Sequence, residues 1–348
     1  MTQPKGAHLV GSVNFNDAET TMRRAASVLG PRLRRIPDGE PGKRFHWIMF
    51  QPDVLADTQG LERVGDSPSW LRDLDTRPLR IAPGVSAQDL QLPPLGYAAA
   101  ARQSYEVFTA LRKEGAIAST TRFQVALPTP TAVVGVCIAP DDRAEFEPLY
   151  REALYRELQD IVDHIPHDDL AVQFDCAVEF LILETHAFDG GTRPWWDGDM
   201  WHGLVSRAAD AVSRVPLGAQ AGVHLCYGDV GEKHFVEPRN SETLVAFGNA
   251  VVAASTRPLD WLHLPVPIER DDDAYFAALS DLSLTTHTEL YLGLVHREDG
   301  VEGAQRRIAT AQRHVPNFGV STECGIGRAP EGTTEDIFQT HAEVSSAW

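Results

Sequence analysis

Gly222-Val223-His224-Leu225-Cys226 is a short apolar run that ends in two side chains able to bind metal. In an extended strand, residues i and i+2 share a face, so His224 and Cys226 point the same way. Helical patterning follows over residues 241–254, and a second apolar run over 261–264. Strand, helix, strand in that order means two parallel strands joined by a right-handed crossover.

The same unit recurs on both sides of this one. Short β-branched or apolar runs fall at 8–13, 79–85, 123–126, 171–174, 222–226, 261–264, 290–295 and 319–322. Helical patterns cover 17–29, 98–113, 143–164, 202–214, 241–254, 274–282, 301–314 and 334–344. Tyr150, Leu154, Leu158 and Ile161 mark one face of theirs. About eight such units predict an α/β chain folded as a single TIM-type (β/α)8 barrel over residues 1–348. A doubly wound open sheet is the runner-up, weakened because no G-x-G-x-x-G follows the first strand. Residues 53–78 and 190–199, the latter with Trp195 and Trp196, read as loop or lid insertions. Asp299 and Glu302 have the spacing of a capping box, and Asp141 and Asn240 fit N-caps.

Hydrophobic residues make up 43% of the 348, enough to fill a core of that size. The net charge of −18 repels phosphate backbones and argues against nucleic-acid binding. The densest basic cluster, Arg32 to Arg35, reads as a solvated helix end. No apolar run reaches the roughly 18 residues of a membrane helix. The polar start, Met1 to Gly6, lacks a signal-peptide pattern, so a cytoplasmic enzyme is expected. Cys137, Cys176, Cys226 and Cys324 are scattered, which favours free thiols or metal ligands over disulfides.

Chemistry-bearing residues collect at the C-terminal ends of the expected strands, the rim where barrel active sites lie. Asp38 and Glu40 come after the first, Asp175 after the fourth, His224 and Cys226 close the fifth, and Cys324 follows the last. One imidazole and two thiolates suit Zn2+, and three protein ligands leave a position open for chemistry. Spacing alone leaves a bland alternative standing, because a lone Cys is commonly a small buried hydrophobe. Cys137 and Cys176 are read that way.

Residues 224–229, H-L-C-Y-G-D, resemble the H-x-C-Y segment in the catalytic C-terminal domain of cobalamin-independent methionine synthases. Residues 322–328, T-E-C-G-I-G-R, are similar to that family's P-D-C-G-L-K-T-R segment. Residues 127–131, L-P-T-P-T, look like the G-P-V-T motif shared with uroporphyrinogen decarboxylases. Residues 173–175, Q-F-D, resemble the Q-x-D strand end of the D-E-P segment, and 8–12, H-L-V-G-S, look more loosely like a family first strand. The order agrees over residues 120–330.

The resemblance implies a (β/α)8 barrel with zinc at its C-terminal rim. It implies His224, Cys226 and Cys324 as ligands, and Asp175 in a substrate-binding position. It further implies a transferase that moves a methyl or other alkyl group onto a small thiol. Whether a corrinoid protein supplies the methyl is left open. The sequence also departs from the family. Pro265 falls where a further zinc-ligating glutamate belongs; His263, Glu269, Asp229, water or substrate could fill that position. Asp175 is followed by Cys176 and Ala177, so the glutamate of D-E-P is missing. The synthases' duplicate N-terminal barrel is absent, and residues 293–298, G-L-V-H-R-E, replace a histidine-bearing loop. The related single-barrel epoxyalkane:coenzyme M transferases share the H-x-C…C zinc logic and are a serious comparison.

A free thiol is mostly protonated at neutral pH; on zinc it is deprotonated and can attack an activated methyl or an epoxide. A general acid for the leaving group is sought at strand ends, with His296 and Asp229 first and Glu298 and Glu323 beside them. Tyr227 either packs against the zinc site or donates an outer hydrogen bond. Asp38 and Glu40 either hold a cationic or hydroxyl group of substrate or form an ordinary turn. His164, His167, His186, His202 and His234 are read as surface or loop residues. Two competing functions stay open: a zinc Lewis-acid lyase or hydrolase, and a barrel that binds zinc or a small molecule without catalysis.

Overall fold

The computed structural model describes residues 3–187, 190–228 and 233–348. Seven parallel strands form one sheet: β1 (Arg35–Pro37), β2 (Arg122–Pro128), β3 (Leu170–Cys176), β4 (Gln220–Leu225), β5 (Trp261–Pro265), β6 (Glu289–Val295) and β7 (Gly319–Thr322). Each pairs with its neighbours in chain order, so all seven C-terminal ends lie on one rim. The helix Ala18–Leu29 precedes β1. Tyr97–Lys113, Arg143–His164, Met200–Ser213, Glu242–Ala254 and Gly300–His314 lie in crossovers, and Thr334–Val344 follows β7.

Residues near the N-terminus lie against both edges of this sheet. Ala7 bridges Leu33 on one side and Val320 on the other. Ser12 bridges Gly39, and Val13 bridges Ile326, all in parallel sense. The expected strand at 8–13 therefore makes isolated bridges rather than a continuous ladder.

Strand alternation divides two environments. Leu225 and Leu262 reach Gly248 of the helix Glu242–Ala254, so that side packs on helices. The opposite side is polar and aromatic. His8 Nε2 meets Gln173 Oε1 at 2.8 Å, Trp261 Nε1 donates to the same oxygen at 3.3 Å, and His8 stacks on Tyr291 with centroids 4.8 Å apart. Gln124 Nε2 donates to Leu9 O and Val10 O at 2.9 Å each. These buried groups pair with one another, as groups withdrawn from water must.

Several expectations are corrected. Arg35 is not part of a solvated helix end but belongs to β1, its side chain 1% exposed. Burial is tolerated because Glu289 pairs with it at 2.8 Å and the Trp261 ring lies 4.1 Å from its guanidinium. The run at 79–85 does not enter the main sheet. Leu79–Ile81 pairs antiparallel with Leu61–Arg63, within an insertion that also holds the hairpin Trp70–Leu71 and Leu74–Asp75. Residues 191–199 hold no helix or strand, in keeping with a loop, and their rings pack on helices: Trp195 donates to Glu147 at 2.8 Å and Arg207 covers Trp196 at 3.9 Å. Asp299 gives its carboxylate to Arg307 at 2.7 Å instead of the backbone, and no capping box forms. Among the described residues, no helix is long and apolar enough to cross a membrane.

Candidate metal centre

His224 lies near the end of β4, Cys226 just beyond it, and Cys324 two residues after β7. Neighbouring parallel strands bring β4 and β7 to the same rim, although 98 residues separate the cysteines. The ligand atoms of all three residues lie within 4.8 Å of one another. The two sulfurs are 3.7 Å apart. This is the one such group of three His, Cys, Asp or Glu side chains among the described residues.

Gly293 allows the approach of β7. The β6–β7 register shifts between Leu292 and Val295. A Cβ on Gly293 would stand 2.6 Å from Thr322 O and 2.7 Å from Glu323 Cα. Both are backbone atoms, so neither could swing aside.

The donor set fits zinc. His224 Nε2 is buried and has no hydrogen-bond partner among the described residues. A buried unpaired nitrogen is costly unless something takes its lone pair. Gly228 N donates to Cys226 Sγ at 3.4 Å, and Arg328 Nη2 approaches Cys324 Sγ at 3.7 Å. Contact with Cys226, together with burial, pushes the Cys324 thiol well up. A cation bound between the sulfurs would offset that penalty and favour the thiolate. Cys137 and Cys176 are buried free thiols elsewhere, as expected.

His224 Nδ1 lies 2.7 Å from His263 Nδ1, and His263 Nε2 lies 3.0 Å from Thr322 O. Burial lowers the pKa of both rings, that of His263 to about 4. Both are neutral at pH 7.

Two cavities meet at this group. The first, about 110 Å³, has mostly apolar walls and is lined by all three ligands with Glu40, Trp47 and Asp175. Burial raises Glu40 to about 7, and burial with the nearby Glu40 raises Asp175. Glu40 and Trp47 hold positive φ, 52° and 53°, which non-glycine residues rarely adopt. The second cavity, about 610 Å³, has mixed polar and apolar walls and includes His234, His296, Glu298 and Glu323. Gly228, Cys324, Gly325 and Arg328 line both.

The other expected site residues divide. Asp175 lines the first cavity, its Oδ1 held by Gln173 Nε2 at 2.9 Å. Asp38 does not line it; its carboxylate is taken by Arg44 at 2.6 Å, Ser104 Oγ at 2.7 Å and Glu40 N at 2.9 Å. His296 lines the second cavity, with Nε2 2.8 Å from Val266 O. Asp229 lies outside the described residues. Tyr227 OH meets Tyr275 OH at 3.2 Å.

His234 lies on a loop, as expected, but is only partly exposed. Its side chain is 12% exposed and lies between Glu323 and Glu237, each at 2.9 Å. Burial opposes its charge, but the two carboxylates raise its pKa to about 9. No local signal marks this, because Glu323 is 89 residues away in sequence. Trp47 and Phe235 also line the first cavity without a motif around them, whereas Arg328 stood inside the second cysteine segment.

No protein-family model matches the chain, and no curated protein matches it. Solved structures do match. A B12-independent methionine synthase from Shewanella sp., in complex with selenomethionine, is 14% identical with a TM-score of 0.61, over 99% of this chain and 98% of that one. A methyltransferase from Methanosarcina mazei is 10% identical with a TM-score of 0.56, over 99% and 94%. At such identities the likeness is one of fold, and it runs the length of the chain.

Proposed function

We propose that this protein is a zinc-dependent transferase that moves a methyl or other alkyl group onto a small thiol. The observation that carries the proposal is the partnerless Nε2 of His224, a residue whose ligand atom lies within 4.8 Å of two cysteine sulfurs and which opens onto a cavity. Zinc held there would keep a bound thiol deprotonated and nucleophilic. The Shewanella neighbour with selenomethionine supports a methyl carried on a sulfur-like atom.

In this reading the whole chain is one barrel, with residues 8–13 closing it as the eighth strand between β7 and β1. Asp175 and Glu40 hold the polar end of the substrate beside the metal ligands. Asp38 contributes by fixing the turn that carries Glu40. His296 Nε2–H donates a hydrogen bond to Val266 O, so the neutral ring has its lone pair on Nδ1 and would accept a proton rather than act as the expected general acid. Asp229, three positions after Cys226 in the sequence, is the proposed proton donor. The partners are a small thiol and an alkyl donor, with a corrinoid protein as one source of methyl.

The test is the metal content of wild type beside Cys226→Ala. About one zinc per chain, lost in the variant, is expected from a three-ligand site. A thiol added to the cobalt-substituted protein should then shift its absorption spectrum. A wild type that takes up no zinc when resupplied overturns the proposal.

A further inference from the structure

His263 is a register partner of His224 on the neighbouring strand, and it is fully buried. Both of its ring nitrogens are engaged, one by His224 and one by Thr322 O. It therefore offers no atom to an ion, and the expectation that it could replace the missing glutamate ligand does not hold. Its contacts point to another role.

We infer that His263 is a positioning residue for the metal centre: it fixes His224 in the Nδ1–H form and so presents the Nε2 lone pair to the ion. A carbonyl oxygen can only accept, so His263 Nε2, 3.0 Å from Thr322 O, carries a proton. The neutral ring then has its lone pair on Nδ1. Two nitrogens 2.7 Å apart must share one proton, and it belongs to His224 Nδ1. That leaves the lone pair of His224 on Nε2, the ring atom without a partner on the residue that groups with Cys226 and Cys324. The hydrogen bond at one imidazole nitrogen sets which form is available to a metal at the other.

The relay also ties the strands together. It begins at β4, crosses β5 and ends on Thr322, whose Oγ1 donates to Cys324 O at 2.8 Å. The carbonyl that orients the first ligand thus belongs to the segment that delivers the third.

This inference rests on the zinc reading above, and two experiments separate the two. The first is zinc affinity by chelator competition for wild type, His263→Leu and His263→Gln. Leucine should weaken zinc by about 10–100-fold. Glutamine can both accept from His224 and donate to Thr322 O, so it should stay close to wild type. The second is the nitrogen-15 histidine spectrum of the metal-free wild type, expected to show His224 protonated on Nδ1. A proton on His224 Nε2, or wild-type zinc affinity in a folded His263→Leu protein, overturns the relay. If His263→Leu does not fold, the spectrum decides alone. If wild type binds no zinc, the proposed function falls while the spectrum still tests the relay.

Discussion

Glu40 combines a backbone conformation that side chains rarely adopt with a carboxyl buried beside Asp38. Burial first, and Asp38 after it, raise its pKa from 4.5 to about 7, against the pull of Arg44 and Arg328. Between those two values the folded chain holds a proton that the unfolded chain has released. Stability therefore falls as pH rises through that window. Glu40→Gln removes the titration. Compared with wild type, the variant should gain at most about 2–3 kcal/mol on going from about pH 5 to pH 8. Urea midpoints at both pH values measure it, and an equal difference at both would mean that the carboxyl titrates normally. The contrast with Asp38 also marks what sequence can convey. Two acids stand two positions apart, and either could face a substrate. Only the fold shows that Arg44 and Ser104 consume one of them. His224, Cys226 and Cys324 were legible because metal ligands are few in kind and strand parity aligns the first two. His263 was not, because its role depends on a carbonyl 59 residues away.

At the scale of elements, the amphipathic helices were legible from their period. Arg143–His164 and Thr334–Val344 fall where the pattern places them. Pro130–Cys137 and Val178–Thr185 were missed; both are apolar almost throughout, so no stripe distinguishes them from a buried strand. β1 was missed for the opposite reason. It has three residues, one a buried arginine, and a hydrophobic pattern cannot announce an ion pair with Glu289. In β6, Gly293 makes a prediction specific to the strand. Gly293→Ala should cost about 1–3 kcal/mol, because the displaced atoms are backbone. It should also weaken zinc binding, since the same displacement moves Thr322 and Cys324. Denaturant midpoints and chelator competition read the two effects separately. Lost stability with unchanged zinc affinity would show that this contact does not place Cys324.

For the whole molecule, strand–helix alternation was enough to predict a parallel sheet in sequential order, since crossover rules leave few other arrangements. What alternation could not predict was the division of space above the sheet. The two cavities have different walls, and among the described residues they share Gly228, Cys324, Gly325 and Arg328. A centre that borders two cavities need not release one reactant before admitting the other. Under the proposed function, initial-rate plots at varied thiol and donor should give lines that intersect, the mark of a ternary complex. A blocker of either cavity should leave the other reactant's binding intact. Parallel lines, the ping-pong pattern, would mean that the alkyl group is first held on the enzyme and the spent donor released before the thiol reacts, against a ternary complex.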